Sequence, residues 1–308
     1  MQIVTLRVTH WVFVSWISMN KGALVLGGGG SVGIAWELGY LGGLESRSSE
    51  VMRAIRAPDT TYIGTSAGSV VATMLASGRD IAELVQPELD SPTVPNPSRQ
   101  RGSMLGIARI ATSMLLARVG TKTPEEGRRR IGAFAAKATT GPEAEWVASI
   151  GLRLPEHAWP ERRLLITAVD IDSGEFRVFD RESGVDLVRA VAASCAVPGI
   201  FPPVSIDGRR YMDGGMRSIA NADLAVGCDP VLILVPVREG GPGIGSVSKD
   251  ELKVFPSGAS HLVYADAESA RAFGRNPLNP TTRAASARAG FRQGSQPDPS
   301  IVTLWARG

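Results

Sequence analysis

The stretch LVLGGGGSVGIAWELGYLGGL, from Leu24 to Leu44, joins a short apolar run to four consecutive glycines and then to a helical pattern. A glycine turn between a buried strand and a helix points bare backbone N–H groups at one spot, which suits an anion. The anion could be the pyrophosphate of a dinucleotide or the oxyanion of an acyl-transfer intermediate. The turn by itself leaves both interpretations open.

Short apolar runs of strand length alternate with helical patterns along most of the 308 residues. This alternation predicts an α/β fold, with a mostly parallel central sheet flanked by helices. Turn residues at 172–174 and 207–208 predict antiparallel pairs on either side of them. The predicted strands are 22–26, 60–65, 164–171, 175–180, 204–206, 209–212 and 231–237, and the predicted helices are 34–45, 66–78, 185–196, 259–273 and 282–292.

Residues 91–102 (SPTVPNPSRQRG) interrupt the alternation, and no strand pattern follows until about residue 159. We interpret 91–159 as a helical insertion in a main domain at 21–229, and 230–308 as a strand and helices that complete this domain. Residues 1–20 are apolar but lack an A-x-A-like cleavage site, which favours an N-terminal extension over a signal peptide. We therefore expect a cytoplasmic protein.

The charge of the chain argues against a nucleic-acid partner. There are 33 Lys and Arg against 30 Asp and Glu, so the formal net charge of +3 is too small for a basic binding stripe. The two cysteines, Cys195 and Cys228, form neither a disulfide framework nor a zinc-ligand spacing. We expect no nucleic acid and no metal to bind.

Gly28, Gly30 and Gly33 have the spacing of the dinucleotide-binding fingerprint, with a predicted strand before them and a helix after. That fingerprint also needs an acidic residue at the end of the next strand, about twenty residues on, to hold the ribose. Glu50 has the right distance, but its surroundings, SRSSEVMR at 46–53, have no strand pattern. A nucleotide-binding oxidoreductase is therefore the weaker interpretation of the turn.

A G-x-S-x-G motif at 64–68 lies where a predicted strand meets a helix. At such a sharp turn the small flanking residues let Ser66 project its hydroxyl above the sheet, near a helix N-terminus that favours negative charge. The glycine turn contains the same pattern around Ser31, and the pattern alone does not rank the two serines. We expect one turn to provide the nucleophile and the other the N–H donors, since neighbouring parallel strands end at the same edge of a sheet.

A third element, YMDGG at 211–215, places the carboxylate of Asp213 after a short predicted strand and before two glycines. These glycines permit a sharp turn that puts the carboxylate against another loop. A hairpin-end aspartate in an Asx-turn is the purely structural interpretation of the same residues.

Four elements together resemble the patatin-like phospholipases, which are serine acyl hydrolases. They are the glycine turn, GTSAGS at 64–69, AVPGIFPPV at 196–204 and YMDGG at 211–215, and they follow one another in family order. The resemblance spans residues 21–229 and implies a Ser/Asp dyad without histidine, with Ser66 as nucleophile and Asp213 as base. The expected oxyanion donors are the backbone amides of Gly28, Gly29, Gly30 and Ala67.

One position departs from the family pattern. Family members commonly carry Arg or Lys two positions after the last glycine of the run, whereas this chain has Val32. The resemblance therefore implies a site of this type without a fixed positive charge beside its oxyanion turn.

The resemblance also implies a lipid or other ester as substrate, and the mechanism requires no cofactor. The segment 104–130 combines apolar residues at helical spacing with arginines, which predicts transient contact with a membrane surface or, more simply, a solvated cap. One alternative mechanism is a Ser66–Asp213–His261 triad, whose members follow the chain order of α/β-hydrolases although His261 lies at a predicted helix start. Another alternative is a non-catalytic scaffold that keeps the turns without turnover.

Overall fold

The computed structural model describes residues 22–90, 119–239 and 246–306, so the predicted extension at 1–20 and residues 91–118 of the predicted insertion lie outside the described residues. In the described ranges the strands are β1 Ala23–Leu26, β2 Thr61–Gly64, β3 Leu164–Asp170, β4 Phe176–Phe179, β5 Val204–Ile206, β6 Arg209–Asp213, β7 Val231–Val235 and β8 Ser260–Tyr264. The α-helices there are α1 Gly30–Arg47, α2 Ser49–Ile55, α3 Ala67–Ala76, α4 Ile81–Leu89, α5 Pro124–Lys137, α6 Glu143–Gly151, α7 Leu187–Ser194, α8 Lys249–Leu252, α9 Ala267–Phe273, α10 Arg283–Gly294 and α11 Pro299–Trp305.

The described strands form one sheet in the order β5-β6-β3-β2-β1-β7-β8, with β4 paired to β3. Five of them, β3, β2, β1, β7 and β8, run parallel to their neighbours in that part of the sheet. Strands β4 and β6 are antiparallel to β3, and β5 is antiparallel to β6. The fold is therefore an α/β fold with a mixed, mostly parallel sheet, as the sequence predicted.

The central strand β1 is apolar on both faces because both faces are covered. Leu24 and Leu26 point into a core that includes residues of α1 and α3, and Ala23 and Val25 point into a second core that includes Phe255. A strand buried on both sides reads as a continuous apolar run, since no residue in it faces water. This explains the uninterrupted ALVL that precedes the glycine turn.

Helices α1 and α10 cross with their backbones almost in contact. A Cβ atom on Gly39 of α1 would lie 2.1 Å from the carbonyl oxygen of Ala287, and a Cβ on Gly290 of α10 would lie 2.3 Å from that of Trp36. Larger residues at these positions would force the helices apart. The crossing fixes α10 against α1, and the loop at 274–282 that leads into α10 therefore lies beside the beginning of α1.

The helix predicted at 259–273 is wrong in its first half. Residues Ser260–Tyr264 form β8, which pairs along its whole length with β7, and only Ala267–Phe273 is helical. Strand β7 has unpaired backbone groups on its outer edge, and pairing with β8 satisfies them, so tertiary context outweighs the local helical spacing. His261, expected at a helix start, therefore lies on a strand.

Glu37 of α1 is a fully buried carboxyl group, and within the described residues neither of its carboxyl oxygens has a hydrogen-bond partner. Burial raises its pKa well above the usual value. The nearby Gly27 N–H lowers the pKa of Glu37 by a smaller amount. This N–H donates its hydrogen bond to the Leu234 carbonyl, 2.9 Å away, and so leaves Glu37 without a donor among the described residues. The core behind the glycine turn thus holds a carboxyl group that is most stable when protonated.

Glu37→Gln should stabilise the protein increasingly as the pH rises from 5 to 8. The unfolded chain releases the Glu37 proton near its ordinary pKa while the folded chain retains it, so the wild type loses stability over this range and the neutral amide does not. Thermal unfolding of both proteins across this pH range measures the difference, with about 2–4 °C expected per kcal/mol. Glu50→Gln, on the exposed side of α2, is the matched control, and a pH-independent gap between wild type and Glu37→Gln would contradict the assignment.

Candidate active site

Ser66 occupies a sharp turn between the end of β2 and the start of α3. Its backbone has φ 54° and ψ −120°, a conformation that a residue with a side chain adopts at a cost of about 1–3 kcal/mol. The turn brings the following backbone very close to β1, since a Cβ on Gly68 would lie 2.1 Å from the Leu26 carbonyl oxygen. The glycine after Ser66 in the G-x-S-x-G motif is thus explained by the packing of the turn.

Buried hydrogen bonds from α7 and α3 hold this strained turn. The Ser66 N–H donates to Ser194 Oγ at 2.9 Å. Its carbonyl accepts from Ser69 Oγ at 2.6 Å and from the Cys195 thiol at 3.1 Å. Burial, assisted by the charge of Asp213, raises the pKa of Cys195 to about 12, so this thiol remains protonated and able to donate.

Asp213, the last residue of β6, lies beside the turn that carries Ser66. In the register of β3, Gly64 lies opposite Ile166 and Asp213 lies opposite Ala168, so the ends of β2 and β6 meet over one short stretch of β3. The Ser66 side chain lies close enough to the Asp213 carboxylate to favour its charged form. The structure therefore brings together the two side chains that the sequence assigned to a dyad.

The environment of Asp213 makes it a stronger base than an ordinary aspartate. Its side chain is almost fully buried, and this burial raises its pKa from 3.8 to about 7. The neighbouring Ser66 side chain and the Gly215 N–H, which donates to Asp213 Oδ1 at 2.7 Å, limit the rise because they favour the charged form. The carboxyl group therefore titrates close to neutral pH.

A buried polar network ties the Ser66 strand to the Asp213 loop. Asn221 donates from its side-chain amide to Thr65 Oγ1 at 3.0 Å and to the carbonyl oxygens of Ser218 and Gly214 at 2.9 and 3.3 Å. Thr65 Oγ1 in turn lies 2.9 Å from Thr167 Oγ1. The backbone of Asn221 is left-handed, with φ 52°, which asparagine tolerates better than most residues. The sequence analysis missed this network because SIANAD at 218–223 matches no motif.

The glycine turn lies directly against Ser66. A Cβ on Gly28 would be 3.3 Å from Ser66 Cβ. The Gly28 N–H, however, donates to the Ile219 carbonyl at 2.8 Å, so this amide is occupied although we expected it to be an oxyanion donor. Gly29 precedes α1, and Gly30 is its first residue. Their amides have no acceptor within the helix, because the first amides of any helix lack one.

Ala67 is the first residue of α3, and its amide is free for the same reason. Within the described residues, the amides of Gly29, Gly30 and Ala67 thus remain available at two helix N-termini that meet beside Ser66. Both termini favour negative charge.

Ser31 is not part of this arrangement. It lies in the first turn of α1, where its hydroxyl donates to the carbonyl of Pro277 at 3.3 Å. Val32, at the position where the family commonly has a basic residue, is completely buried.

Glu50 lies on α2 rather than at the end of a strand, so the ribose partner required by the dinucleotide interpretation is not in place.

His261 lies far from Ser66. It is the second residue of β8 and is level with Leu232 of β7, whereas Ser66 follows the far end of β2. Strands β2 and β8 are three positions apart in the sheet, which is roughly 14 Å at ~4.8 Å per strand. His261 Nδ1 pairs instead with Ser300 Oγ at 2.8 Å. The structure therefore does not support the triad.

These features define an α/β protein with a strained serine at a strand-to-helix turn, paired with a buried carboxylate. A family model described as patatin-like phospholipase matches residues 24–226, more than half of the chain, and the protein belongs to this family. At the level of the family it is a lipid ester hydrolase.

Solved structures with similar folds have low sequence identity. The crystal structure of VipD from Legionella pneumophila is 16% identical, and the match covers 92% of this chain and 67% of VipD with a TM-score of 0.46. The type III effector protein ExoU is 22% identical, and this chain spans only about half of it, with coverages of 93% and 54% and a TM-score of 0.42. ExoU in its complex with SpcU, from the type III secretion system of Pseudomonas aeruginosa, is 18% identical with a TM-score of 0.35, covering 94% of this chain and 57% of that one. The family assignment rests on the family model.

Asn221→Ala should destabilise the protein by roughly 1–3 kcal/mol, because the buried groups that Asn221 joins lose their partner. Asn221→Gly loses the same hydrogen bonds but relaxes the left-handed backbone, so we expect it to be about 1 kcal/mol less destabilising than Asn221→Ala. Urea unfolding of the three proteins measures both differences. The proposed role of the network would be contradicted if both variants unfolded within about 0.5 kcal/mol of the wild type, the range of ordinary surface substitutions.

Proposed function

We propose that this protein cleaves carboxylic ester bonds of lipids, as a phospholipase A, lysophospholipase or related acyl hydrolase, through an acyl-enzyme on Ser66. The observation that carries this proposal is that Ser66, in its strained strand-to-helix turn, lies beside the buried carboxylate of Asp213 and favours its charged form. This proximity joins the two motifs that the family resemblance singles out. The free amides beside Ser66 give the arrangement a place for the negative charge that acyl transfer creates.

In the first half of the reaction, Ser66 Oγ attacks the ester carbonyl carbon while its proton passes to Asp213. The amides of Gly29, Gly30 and Ala67 stabilise the resulting oxyanion, and one such donor is typically worth about 3 kcal/mol. The tetrahedral intermediate then collapses, the leaving alcohol takes the proton back from Asp213, and the acyl group stays on Ser66. Water releases the acyl group in the second half, with Asp213 again accepting and returning the proton.

The raised pKa of Asp213 explains how an aspartate serves as base without a histidine. An aspartate with its usual pKa of 3.8 is a poor proton acceptor for an alcohol. A group with a pKa of about 7 is a much stronger base and is still partly ionised at neutral pH, which is the best balance for a general base. The burial that produces this shift also excludes water, which strengthens the hydrogen bonds to the oxyanion.

A lipid is the proposed substrate, and transient contact with an anionic membrane surface is part of the same proposal. None of the helices in residues 22–90, 119–239 and 246–306 has the length and hydropathy of a membrane span. In the basic segment, the described Arg128 and Arg130 pair with Glu125 and Glu126 on α5. Membrane contact would therefore depend on the exposed Lys122 and Arg129, which form no ion pair with the described residues, together with the basic residues between 101 and 118, which lie outside the described residues.

A fluorophosphonate probe should label the wild type and Ser31→Ala but not Ser66→Ala, because Ser66 lies beside a carboxylate and free helix-end amides, whereas the Ser31 hydroxyl donates to the Pro277 carbonyl. In-gel fluorescence of the three proteins, each confirmed as folded by circular dichroism, provides the measurement. Labelling that persists in Ser66→Ala and disappears in Ser31→Ala would reverse the assignment. A folded wild type that neither labels nor hydrolyses esters would favour the non-catalytic scaffold.

The kcat/KM for a soluble short-chain ester should rise through pH about 7 and then level off. Asp213 must be ionised to accept the serine proton, and its pKa of about 7 sets the inflection. Asp213→Asn should lower kcat/KM by roughly 10²–10⁴-fold, the usual contribution of a positioned base. A flat profile between pH 5.5 and 8.5, or an Asp213→Asn variant with nearly full activity, would argue against this role.

The same assay with a micellar phospholipid tests the substrate class. We expect turnover of the micellar lipid to exceed that of the soluble ester, and a strict preference for the soluble ester would restrict the protein to a general esterase.

A further inference from the structure

The loop at 274–282, outside the family-matched residues, reaches the candidate active site from the C-terminal part of the chain. The carbonyl of Pro277 accepts hydrogen bonds from the Val32 N–H at 3.1 Å and from the Ser31 hydroxyl at 3.3 Å, both in the first turn of α1. A Cβ on Gly30 would lie 2.6 Å from Pro277 O and 2.9 Å from Leu278 Cδ2. Leu278 thus packs directly on a proposed oxyanion donor.

Internal hydrogen bonds give this loop a defined shape. Asn276 Oδ1 accepts from the Leu278 N–H at 3.0 Å, and the Asn276 carbonyl accepts from the Asn279 N–H at 3.1 Å. The hydroxyl of Thr282 donates to the carbonyls of Asn279 and Phe273 at 3.2 and 3.3 Å. The loop therefore holds Leu278, which is half-buried, in a fixed place beside the glycine turn.

Leu278 belongs to an apolar surface around the glycine turn. Ile219 Cδ1 would lie 3.1 Å from a Cβ on Gly28, and Pro236 Cγ would lie 2.4 Å from a Cβ on Gly29. Ile219, Pro236 and Leu278 come from three separate segments, and each packs on a different glycine of the turn. Ile219 and Leu278 are partly exposed and form the accessible apolar surface, whereas Pro236 is buried. Such a surface suits a hydrocarbon chain rather than a polar group.

The sheet order decides which part of an ester meets this surface. Strand β2, which carries Ser66, has β1 with the glycine turn beside it, whereas the Asp213 end of β6 meets the end of β2 along the same edge of β3. Asp213 returns its proton to the leaving alcohol, so the alcohol portion lies on the β6 side. The acyl portion then extends toward the glycine turn.

We infer that Leu278, held by the 274–282 loop, forms one wall of the acyl-binding cleft and sets the acyl chain that the enzyme prefers. The inference rests on the proposed ester hydrolysis at Ser66, and it assigns substrate selection to a segment beyond the family-matched residues. Leu278 is thus a specificity-determining residue that takes no part in the proton transfers.

The test is the ratio of kcat/KM for 4-nitrophenyl decanoate to that for the butyrate, below the micelle concentration, in the wild type and two variants. Leu278→Ala should raise this ratio about tenfold or more, because it opens the wall to longer chains. Leu278→Trp should lower the ratio by a similar factor, within the range that apolar pockets achieve, because the larger ring shortens the space for the longer chain. Leu84→Ala, a partly buried leucine on α4, is the matched control and should leave the ratio unchanged.

The outcomes separate the two proposals. If the wild type hydrolyses neither ester, both this inference and the proposed function fall. If Ser66-dependent hydrolysis occurs and the ratio stays within about twofold of wild type in both Leu278 variants, only the inference falls. A variant that changes both rates equally would mean that the loop limits general access to Ser66, which also overturns the assignment of chain selection to Leu278.

Discussion

The left-handed backbone of Ser66 is the constraint on which the rest of the site depends. The strained turn is stable because its N–H and carbonyl groups are satisfied by buried partners from α7 and α3, namely Ser194, Ser69 and Cys195. The same turn aims the serine hydroxyl at the end of β6, where Asp213 lies. Loss of the Ser194 hydroxyl would leave the buried Ser66 N–H unpaired, whereas the carbonyl has further donors and tolerates the loss of one.

Burial affects two carboxyl groups of this protein, Glu37 and Asp213, with different results. Burial raises the pKa of both Glu37 and Asp213. Asp213 accepts a hydrogen bond from the Gly215 N–H and lies beside Ser66, and both favour its charged form, so its pKa stops near neutral. Neither carboxyl oxygen of Glu37 has a hydrogen-bond partner among the described residues, and Glu37 strongly favours its neutral form. The number of donors around a buried carboxyl group thus decides whether it titrates in a useful range.

The sequence was informative where function depends on local chemistry. The motifs around Gly28, Ser66 and Asp213 each occupy a few consecutive residues whose types are dictated by a turn, and the structure brings these three segments together. The strand at His261 was missed because its pairing with β7 depends on residues about thirty positions away. Asn221 and Leu278 were missed for a related reason, since their importance lies entirely in contacts with distant segments. The occupied amide of Gly28 likewise depends on Ile219, which no local pattern reveals.

The close crossing of α1 and α10 has a consequence for how such a protein can diversify. The reacting groups come from residues 28–213, whereas the neighbouring loop comes from residues 274–282 and leads into α10, which close glycine contacts hold against α1. Under the proposed role of Leu278, selectivity is therefore encoded in a stretch of polypeptide separate from Ser66 and Asp213. Substitutions in the loop would then change substrate choice while the reacting residues stay in place.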